Sequence, residues 1–411
     1  MEEFLTKIEG GVTAAKGYYA TGVCAGIKKK DRKDMALVYT KTPATVAGTF
    51  TTNVVKAAPV WWDIDIVKNN ETASAIVINS GIANASTGKE GDECNYKMAE
   101  AVAKELGIDP KQVLTASTGV IGRQLPMDAI LGGTKLLKEN LDDSLAAGTL
   151  AAEAIMTTDT QKKECAVTFE MDGKTITVGA MSKGSGMIHP NMATMLGVVT
   201  TDISISKELL QSALSSVVVD TFNMISVDRD TSTNDTLVCF ANGLAGNDTI
   251  TAMDDNYKKF YAALKEVTTF LAKKMAADGE GASKLLEVTV VNAKTKDDAR
   301  TLAKSVITSN LVKAAVFGND ANWGRIICAL GYAGVQFDPY QVDITISSNG
   351  QSLKMAENGL DTGYSEEEAT KILGGETVCV LCDIKAGKQT ATAWGCDLTY
   401  DYVKINADYR S

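Results

Sequence analysis

The choice of candidate catalytic residues in this sequence is limited first by the scarcity of histidine. Among 411 residues there is one histidine, His189. A Ser-His-Asp triad or a histidine-rich metal site would depend on that residue alone. The spacings H-E-x-x-H, C-x-x-C…C-x-x-C and G-x-x-x-x-G-K-[ST] do not occur. A nucleophilic hydroxyl would therefore need another activating group, and we predict no metal site.

The α-amino group of an N-terminal threonine can activate its own hydroxyl. Because such an amine has a pKa of about 8, much of it is neutral around physiological pH and can accept the hydroxyl proton. In the middle of a chain this arrangement requires a cut. A hydroxyl can make that cut by attacking the preceding carbonyl, provided that the loop is strained and donors hold the oxyanion.

The segment KGSGMIHPNMATMLG, residues 183–197, meets these requirements. Gly184 and Gly186 permit unusual backbone angles, and Thr194 follows a small residue and precedes an apolar run. Residue types alone favour a plainer interpretation, a loop that enters a buried strand. We expect His189 to lie in that loop and not to act as a base.

The elements that must position these residues are helices and strands mixed along the chain, so the predicted class is α/β or α+β. Apolar periodicity predicts three helices, which are residues 98–106 ending at Gly107, Asp254–Ala277 and Asp297–Ala315. Strand patterns cover Ser74–Asn79, Leu286–Val291, Val342–Ile346, Thr377–Ile384, Lys388–Trp394 and Asp401–Ile405, with turns at Asn349-Gly350 and Ala386-Gly387.

Composition narrows the function classes. The length predicts two or three compact units. A net charge of −10 disfavours nucleic acid as a partner, and an acidic metabolite would need local cations.

Neither a signal sequence nor a membrane-spanning stretch is evident, so we expect a cytoplasmic protein. The eight cysteines indicate buried thiols, and Cys379 and Cys382 would point to opposite faces of a strand.

Several long motifs resemble the ornithine acetyltransferase (ArgJ) family. The run KGSGMIHPNMATML is similar to the family's cleavage motif. Further matches in order along the chain are GVTAAKGYYATGVCAGIKK, STGVIG (117–122), IMTTDT (155–160), DTSTNDT (230–236), DGEGASK (278–284), NDANWGRI (319–326) and YVKINADYRS (402–411). The resemblance therefore spans nearly all of the chain.

The resemblance implies a self-cleaving enzyme. The bond Ala193–Thr194 would be cut, leaving an α chain of residues 1–193 and a β chain of residues 194–411. The fold would be an αββα sandwich of the DmpA/ArgJ kind, with a smaller C-terminal α/β unit at about residues 285–411. The assembly would be a heterotetramer of two α and two β chains.

The resemblance also implies roles for single residues. Thr194 would take the acetyl group from N-acetylornithine and pass it to glutamate, while Thr118 and Gly119 would form the oxyanion hole. Substrate-binding positions carried over by the motifs are Thr157, Lys183, Thr194, Glu280, Asn406 and Ser411. The resemblance implies no cofactor. Acetyl-CoA remains an alternative second acetyl donor, although no motif marks a CoA pocket and the exchange with N-acetylornithine is favoured.

Two further interpretations remain open. A DmpA-type aminopeptidase of the same fold would hydrolyse peptides, and a binding protein would stay uncut. The sequence departs from the family pattern at Ile82 and Ser86, and Arg229 stands where glycine is expected.

Overall fold

The computed structural model describes residues 2–28, 31–189 and 195–407. Its strands are β1 (Thr6–Ile8), β2 (Tyr18–Val23), β3 (Met35–Phe50), β4 (Thr72–Ile82), β5 (Val113–Val120), β6 (Lys163–Met171), β7 (Lys174–Lys183), β8 (Leu196–Thr201), β9 (Ile225–Ser226), β10 (Thr236–Ala241), β11 (Leu285–Ala293), β12 (Asp343–Ser348), β13 (Gln351–Glu357), β14 (Leu360–Asp361), β15 (Thr377–Asp383) and β16 (Gln389–Cys396).

The helices alternate with these strands along the chain. They are α1 (Ala58–Asn69), α2 (Gly88–Leu106), α3 (Met127–Glu139), α4 (Leu145–Ala154), α5 (Lys207–Val219), α6 (Asp255–Ala277), α7 (Lys296–Ile307), α8 (Asn310–Phe317), α9 (Trp323–Gly331), α10 (Glu366–Leu373) and α11 (Tyr400–Ala407). The predicted mixed α/β class is confirmed. No helix of the described residues is long and apolar enough to cross a bilayer.

The first sheet joins strands from both sides of Thr194. Its order is β1-β6-β7-β8-β10-β3-β4-β5, with β2 paired to β3. Strand β8 follows Thr194, and it lies between β7, which precedes Thr194, and β10. Strand β10 pairs in turn with β3 from the early part of the chain. The two stretches therefore share one continuous hydrogen-bonded sheet.

The second sheet collects the later strands in the order β14-β13-β12-β15-β11-β16-β9. Helix α6 packs against β6 and β7 of the first sheet and against β11 and β16 of the second. Its apolar stripe is buried at Phe260, Leu264, Val267 and Leu271, as its 3.6-residue periodicity predicts. This helix ends at the candidate site, so its packing fixes the position of the residues that follow it.

Two sequence predictions fail in this region. The segment predicted as one helix, Asp297–Ala315, divides into α7 and α8, because the Ser309 hydroxyl accepts the Val312 N–H and caps a new helix. The predicted strand Asp401–Ile405 is helix α11, capped by the Thr399 hydroxyl, which accepts the Tyr402 N–H.

Strands β15 and β16 follow each other in sequence, as predicted, but they are not neighbours because both pair with β11. The predicted Asn349-Gly350 turn is confirmed: it joins β12 to β13, and both residues have positive φ, +50° and +77°.

Candidate active site

A single cleft of about 130 Å³ brings the predicted site residues together. That volume lies below the roughly 300–1,000 Å³ of sites for drug-sized ligands, so it suits a small metabolite. The predicted residues that line it are Thr118, Gly119, Thr157, Lys183, Glu280 and Asn406. Ala193, Thr194 and Ser411 lie outside the described residues.

Thr118 and Gly119 lie near the end of β5, beside the parallel strand β4. Gly119 has a φ of +130°, and a Cβ there would lie 2.2 Å from the carbonyl carbon of Gly81. A side chain is therefore excluded for two independent reasons. The Asn234 amide holds this edge in place by donating to the Ala83 carbonyl at 2.5 Å and to the Ser117 carbonyl at 2.8 Å.

Lys183 places a cation next to this turn. It is the last residue of β7, it is 8% exposed, and its Nζ donates to Oγ1 of Thr118 at 3.3 Å. Because Thr118 accepts this bond, its own hydroxyl proton is free to be donated elsewhere. Burial lowers the pKa of Lys183, while Asp159 opposes the shift.

Glu280 supplies a carboxylate to the same cleft. Its backbone N–H donates to the Ser185 carbonyl at 2.9 Å, and its Oε2 accepts from Nδ2 of Asn406 at 2.8 Å. A Cβ on Gly186 would lie 2.3 Å from this carboxyl group, so the absence of a side chain there makes room for it. The cleft thus offers one anionic and one cationic group to a ligand that carries both signs of charge.

A buried ion-pair network supports the walls of the cleft. Asp159 accepts through Oδ1 from Lys163 and from the Gly184 N–H, both at 2.7 Å, and through Oδ2 from the Thr157 N–H at 3.0 Å. Burial alone would raise the pKa of Asp159, but Lys183 and Lys163 hold it at about 2. One ionised carboxylate therefore ties the Thr157 turn to the end of β7.

Two more cations reach the Thr157 turn. Nζ of Lys28 donates to the Met156 carbonyl at 2.6 Å, and a guanidinium N–H of Arg32 donates to the Thr157 carbonyl at 3.1 Å. Burial, with Arg32 nearby, lowers the pKa of Lys28 to about 8. These groups supply local positive charge in a protein of net charge −10.

A small hollow of about 20 Å³ adjoins the cleft, and Thr118, Lys183, Met195 and Asp235 are among its lining residues. Within the described part of the chain, the buried Oδ2 of Asp235 has no hydrogen-bond partner. Burial raises the pKa of Asp235 well above its usual range. This carboxyl group lies next to Met195, the residue that follows Thr194.

Some of these residues were not singled out from sequence. Lys163 and Arg32 lie outside the quoted motifs, and their roles depend on partners far away in the chain. Lys28 and Asp278 belong to the quoted motifs GVTAAKGYYATGVCAGIKK and DGEGASK, but nothing local in those motifs indicates their partners. Asp159, Asn234 and Asp235 belong to the quoted motifs IMTTDT and DTSTNDT, which were the available signal.

The three residues that depart from the family pattern can be described by their backbone conformation or backbone hydrogen bonds. Arg229 has a φ of +72°, in the left-handed region that glycine enters freely, so its backbone keeps the conformation expected of glycine. Ser86 also has a positive φ, +55°. The Ile82 carbonyl accepts from the Asn79 amide at 2.9 Å.

Comparison with known proteins identifies the family of the chain. The ArgJ family model matches residues 19–411. The chain belongs to the ArgJ family. It is similar to arginine biosynthesis bifunctional protein ArgJ 1 of Clostridium acetobutylicum, with 52% identity over 97% of each chain. The ArgJ protein of Caldanaerobacter subterraneus subsp. tengcongensis is 50% identical over 98% of this chain and 99% of its own.

A solved structure is also similar in sequence. The crystal structure of ornithine acetyltransferase complexed with ornithine from Mycobacterium tuberculosis is 38% identical, covers 47% of this chain and 100% of that one, and has a TM-score of 0.42.

Proposed function

We propose that this chain is a glutamate N-acetyltransferase, or ornithine acetyltransferase, which moves an acetyl group from N2-acetyl-L-ornithine to L-glutamate in cyclic arginine biosynthesis. One observation carries the proposal: six predicted contact residues from distant parts of the chain line one cleft, which contains both a buried lysine and a buried carboxylate. Membership of the ArgJ family, whose relatives are named for arginine biosynthesis, supports it.

The first half-reaction forms an ester. After cleavage at Ala193–Thr194, the Thr194 hydroxyl attacks the acetyl carbonyl carbon of N-acetylornithine, and the Thr194 α-amine accepts the hydroxyl proton. The Thr118 hydroxyl and the Gly119 N–H donate to the oxyanion that forms. The carbon–nitrogen bond then breaks, the departing nitrogen takes the proton from the α-ammonium group, and ornithine leaves acetyl-Thr194 behind.

The second half-reaction reverses these roles. The neutral amine of glutamate attacks the ester carbonyl carbon, and the same two donors hold the new oxyanion. The carbon–oxygen bond breaks, the Thr194 oxygen regains a proton through its α-amine, and N-acetylglutamate leaves. Both half-reactions attack the carbonyl carbon of the acetyl group. The same oxyanion hole, with its single pair of donors, therefore serves both substrates.

Charge complementarity accounts for the substrate class. Lys183 pairs with the substrate α-carboxylate, and Glu280 receives the side-chain ammonium of ornithine. Lys28 and Arg32 add positive potential next to Thr157, which favours entry of anionic glutamate. Thr157, Asn406 and Ser411 complete the predicted set of contacts.

The decisive assay supplies N-acetylornithine and glutamate together to the purified protein. We expect equal amounts of ornithine and N-acetylglutamate, at most one equivalent of ornithine per enzyme from N-acetylornithine alone, no product from glutamate alone, and two bands on a denaturing gel. Failure to form N-acetylglutamate would contradict the transferase proposal. Release of amino acids from short peptides, without acetyl transfer, would instead identify the DmpA-type aminopeptidase.

A parallel assay with acetyl-CoA and glutamate tests the second donor. We propose that acetyl exchange with N-acetylornithine is the main activity and that no other cofactor takes part. The word bifunctional in the names of the relatives makes this assay informative. We further propose a cytoplasmic heterotetramer of two α and two β chains, which native mass spectrometry can test.

A further inference from the structure

The chain just upstream of Thr194 is held by one carboxylate. Asp228 accepts the Met187 N–H through Oδ2 at 2.6 Å and the Ile188 N–H through Oδ1 at 2.8 Å. Met187 has a φ of +55°, a conformation that an L-residue adopts at a cost unless its surroundings hold it. Two charge-assisted hydrogen bonds to consecutive backbone groups supply that restraint.

Neighbouring residues extend the contact in both directions. The Val227 N–H donates to the Ile188 carbonyl at 2.7 Å, and the Thr231 hydroxyl donates to the His189 carbonyl at 2.9 Å. Ile188 and Thr231 form an antiparallel bridge. Each residue of the upstream segment 187–189 therefore makes a hydrogen bond through its backbone, and both N–H and carbonyl groups of the segment take part.

This contact is anchored in the second sheet. Ser226, which lies 3.1 Å from Nδ1 of His189 through its hydroxyl, belongs to β9 and pairs with β16. The Val227 carbonyl accepts from the buried ammonium group of Lys313. Asp228 thus extends from a segment that is paired and hydrogen-bonded to the second sheet and to α8.

The chain just downstream of Thr194 is held by the same stretch of sequence. The Met195 carbonyl accepts the Thr236 N–H at 2.8 Å, and Leu196 begins β8 in register with β10. Residues 226–236 therefore contact the chain on both sides of the segment 190–194. Only five residues of sequence separate these two anchors, so a change at the upstream anchor acts close to the bond that is cut.

We propose that Asp228 is a positioning residue for self-cleavage, which acts by holding Met187 and Ile188, the described residues that lead to the Ala193–Thr194 bond. The inference rests on the proposed function, of which the cut is a part. In that cut the Thr194 oxygen attacks the Ala193 carbonyl carbon, the carbon–nitrogen bond breaks and the freed amine takes a proton. Water then hydrolyses the ester to a carboxylate and the Thr194 hydroxyl.

The contact also outlasts the cut. Residues 187–189 end up in the α chain and residues 226–231 in the β chain, so the hydrogen bonds of Asp228 become contacts between chains. Asp228 is not among the residues that line the substrate cleft. Its loss is therefore expected to slow the cut far more than the transfer reaction.

The test uses the full-length chain with Asp228→Asn, Asp228→Ala and Thr231→Val. The matched control is Asp230→Asn, which removes the same charge two residues away from an exposed side chain. The cut fraction is followed over time on denaturing gels and by intact mass. The thermal midpoint and kcat per cut chain are measured on the same samples.

We expect the two Asp228 variants to cut roughly 10-fold or more slowly, because each loses hydrogen bonds to a charged group. Thr231→Val should cut more slowly to a smaller extent, and Asp230→Asn at the unaltered rate. The kcat per cut chain and the thermal midpoint should remain near those of the unaltered protein.

Normal cutting in both Asp228 variants would overturn the inference. A parallel fall in cutting, thermal midpoint and kcat per cut chain would also overturn it, because Asp228 would then serve the fold in general. If the unaltered protein stays one intact chain while it transfers acetyl groups, both this inference and the proposed nucleophile are wrong.

Discussion

The side-chain amide of Asn406 donates from Nδ2 to Oε2 of Glu280 at 2.8 Å, which links helix α11 to the candidate substrate cleft. The same amide donates to the Tyr402 carbonyl at 3.0 Å, so its orientation is set by its own helix. The C-terminal helix therefore fixes the direction of a carboxylate that is distant in sequence.

Replacing Asn406 with Ala tests this link. Glu280 would lose a hydrogen bond that orients it, so we expect the KM for N-acetylornithine to rise roughly 10-fold with a smaller change in kcat. Steady-state kinetics on the cut protein measure this. Lys404→Ala on the same helix is the control and should leave the KM for N-acetylornithine unchanged. Equal KM values in the two variants would show that Asn406 does not shape the site.

Lys183→Met removes the buried cation from the cleft. Because the substrate α-carboxylate loses its partner, we expect the KM for N-acetylornithine and for glutamate to rise roughly 10- to 100-fold. The control is Lys174→Met, at the exposed start of the same strand. An unchanged KM for both substrates would remove Lys183 from the binding site.

Lys163→Met breaks the ion pairs behind the cleft. Lys163 is 2% exposed and pairs with Asp159 and Asp278, so both carboxylates lose a buried partner. We expect the free energy of unfolding to fall by about 3–5 kcal/mol. Urea denaturation measures it, with Lys162→Met, an exposed neighbour, as the control. A loss as small as that of the control would mean that the network contributes little to stability.

Thr194→Ala removes the proposed nucleophile. We expect one intact polypeptide of about 43.5 kDa and no acetyl transfer, because neither the cut nor the ester can form. A denaturing gel and the exchange assay are sufficient. Two bands from this variant would refute self-cleavage at this bond. Thr200→Val, which alters a buried threonine on the neighbouring strand β8, is the control and should still be cut.

His189 gives the protein a predictable response to mild acid. Burial, with Lys304 and Arg229 nearby, lowers the pKa of His189 to about 4, against 6.5 for a free side chain. Between these values the unfolded chain binds a proton that the folded chain does not, so stability falls as the pH drops from 6.5 towards 4. Since His189 is the only histidine in the sequence, one variant isolates the effect.

The measurement compares thermal midpoints at pH 7 and pH 5 for the unaltered protein and for His189→Asn. We expect a smaller difference between the two pH values in the variant. The same difference in both proteins would assign the acid response to carboxyl groups instead.

Sequence-based prediction succeeded where the signal is local or belongs to a long motif. The apolar stripe of α6 and the Asn349-Gly350 turn follow from periodicity and turn chemistry, and the residues of the cleft were found through family motifs. Local patterns misled where short segments fit two structures. The run Asp401–Ile405 is compatible with strand or helix, and the cap from Thr399 decides it.

Long-range partners could not be predicted. Lys163 and Asp278 are 115 residues apart in sequence, and nothing in either local run indicates that they meet. Asp228 contacts the backbone N–H of Met187 from 41 residues away, and backbone groups carry no sequence signature. Such contacts depend on how the two sheets and α6 pack together.

The position of strand β8 between β7 and β10 has a consequence for the maturation and refolding of the protein. The proposed cut would leave two polypeptides whose strands are already interleaved, so neither can leave without dismantling the sheet. Assembly from the uncut precursor is intramolecular, whereas the severed pieces would have to find each other by diffusion. Maturation would therefore be a one-way event: once denatured, the enzyme would recover slowly and only at high protein concentration.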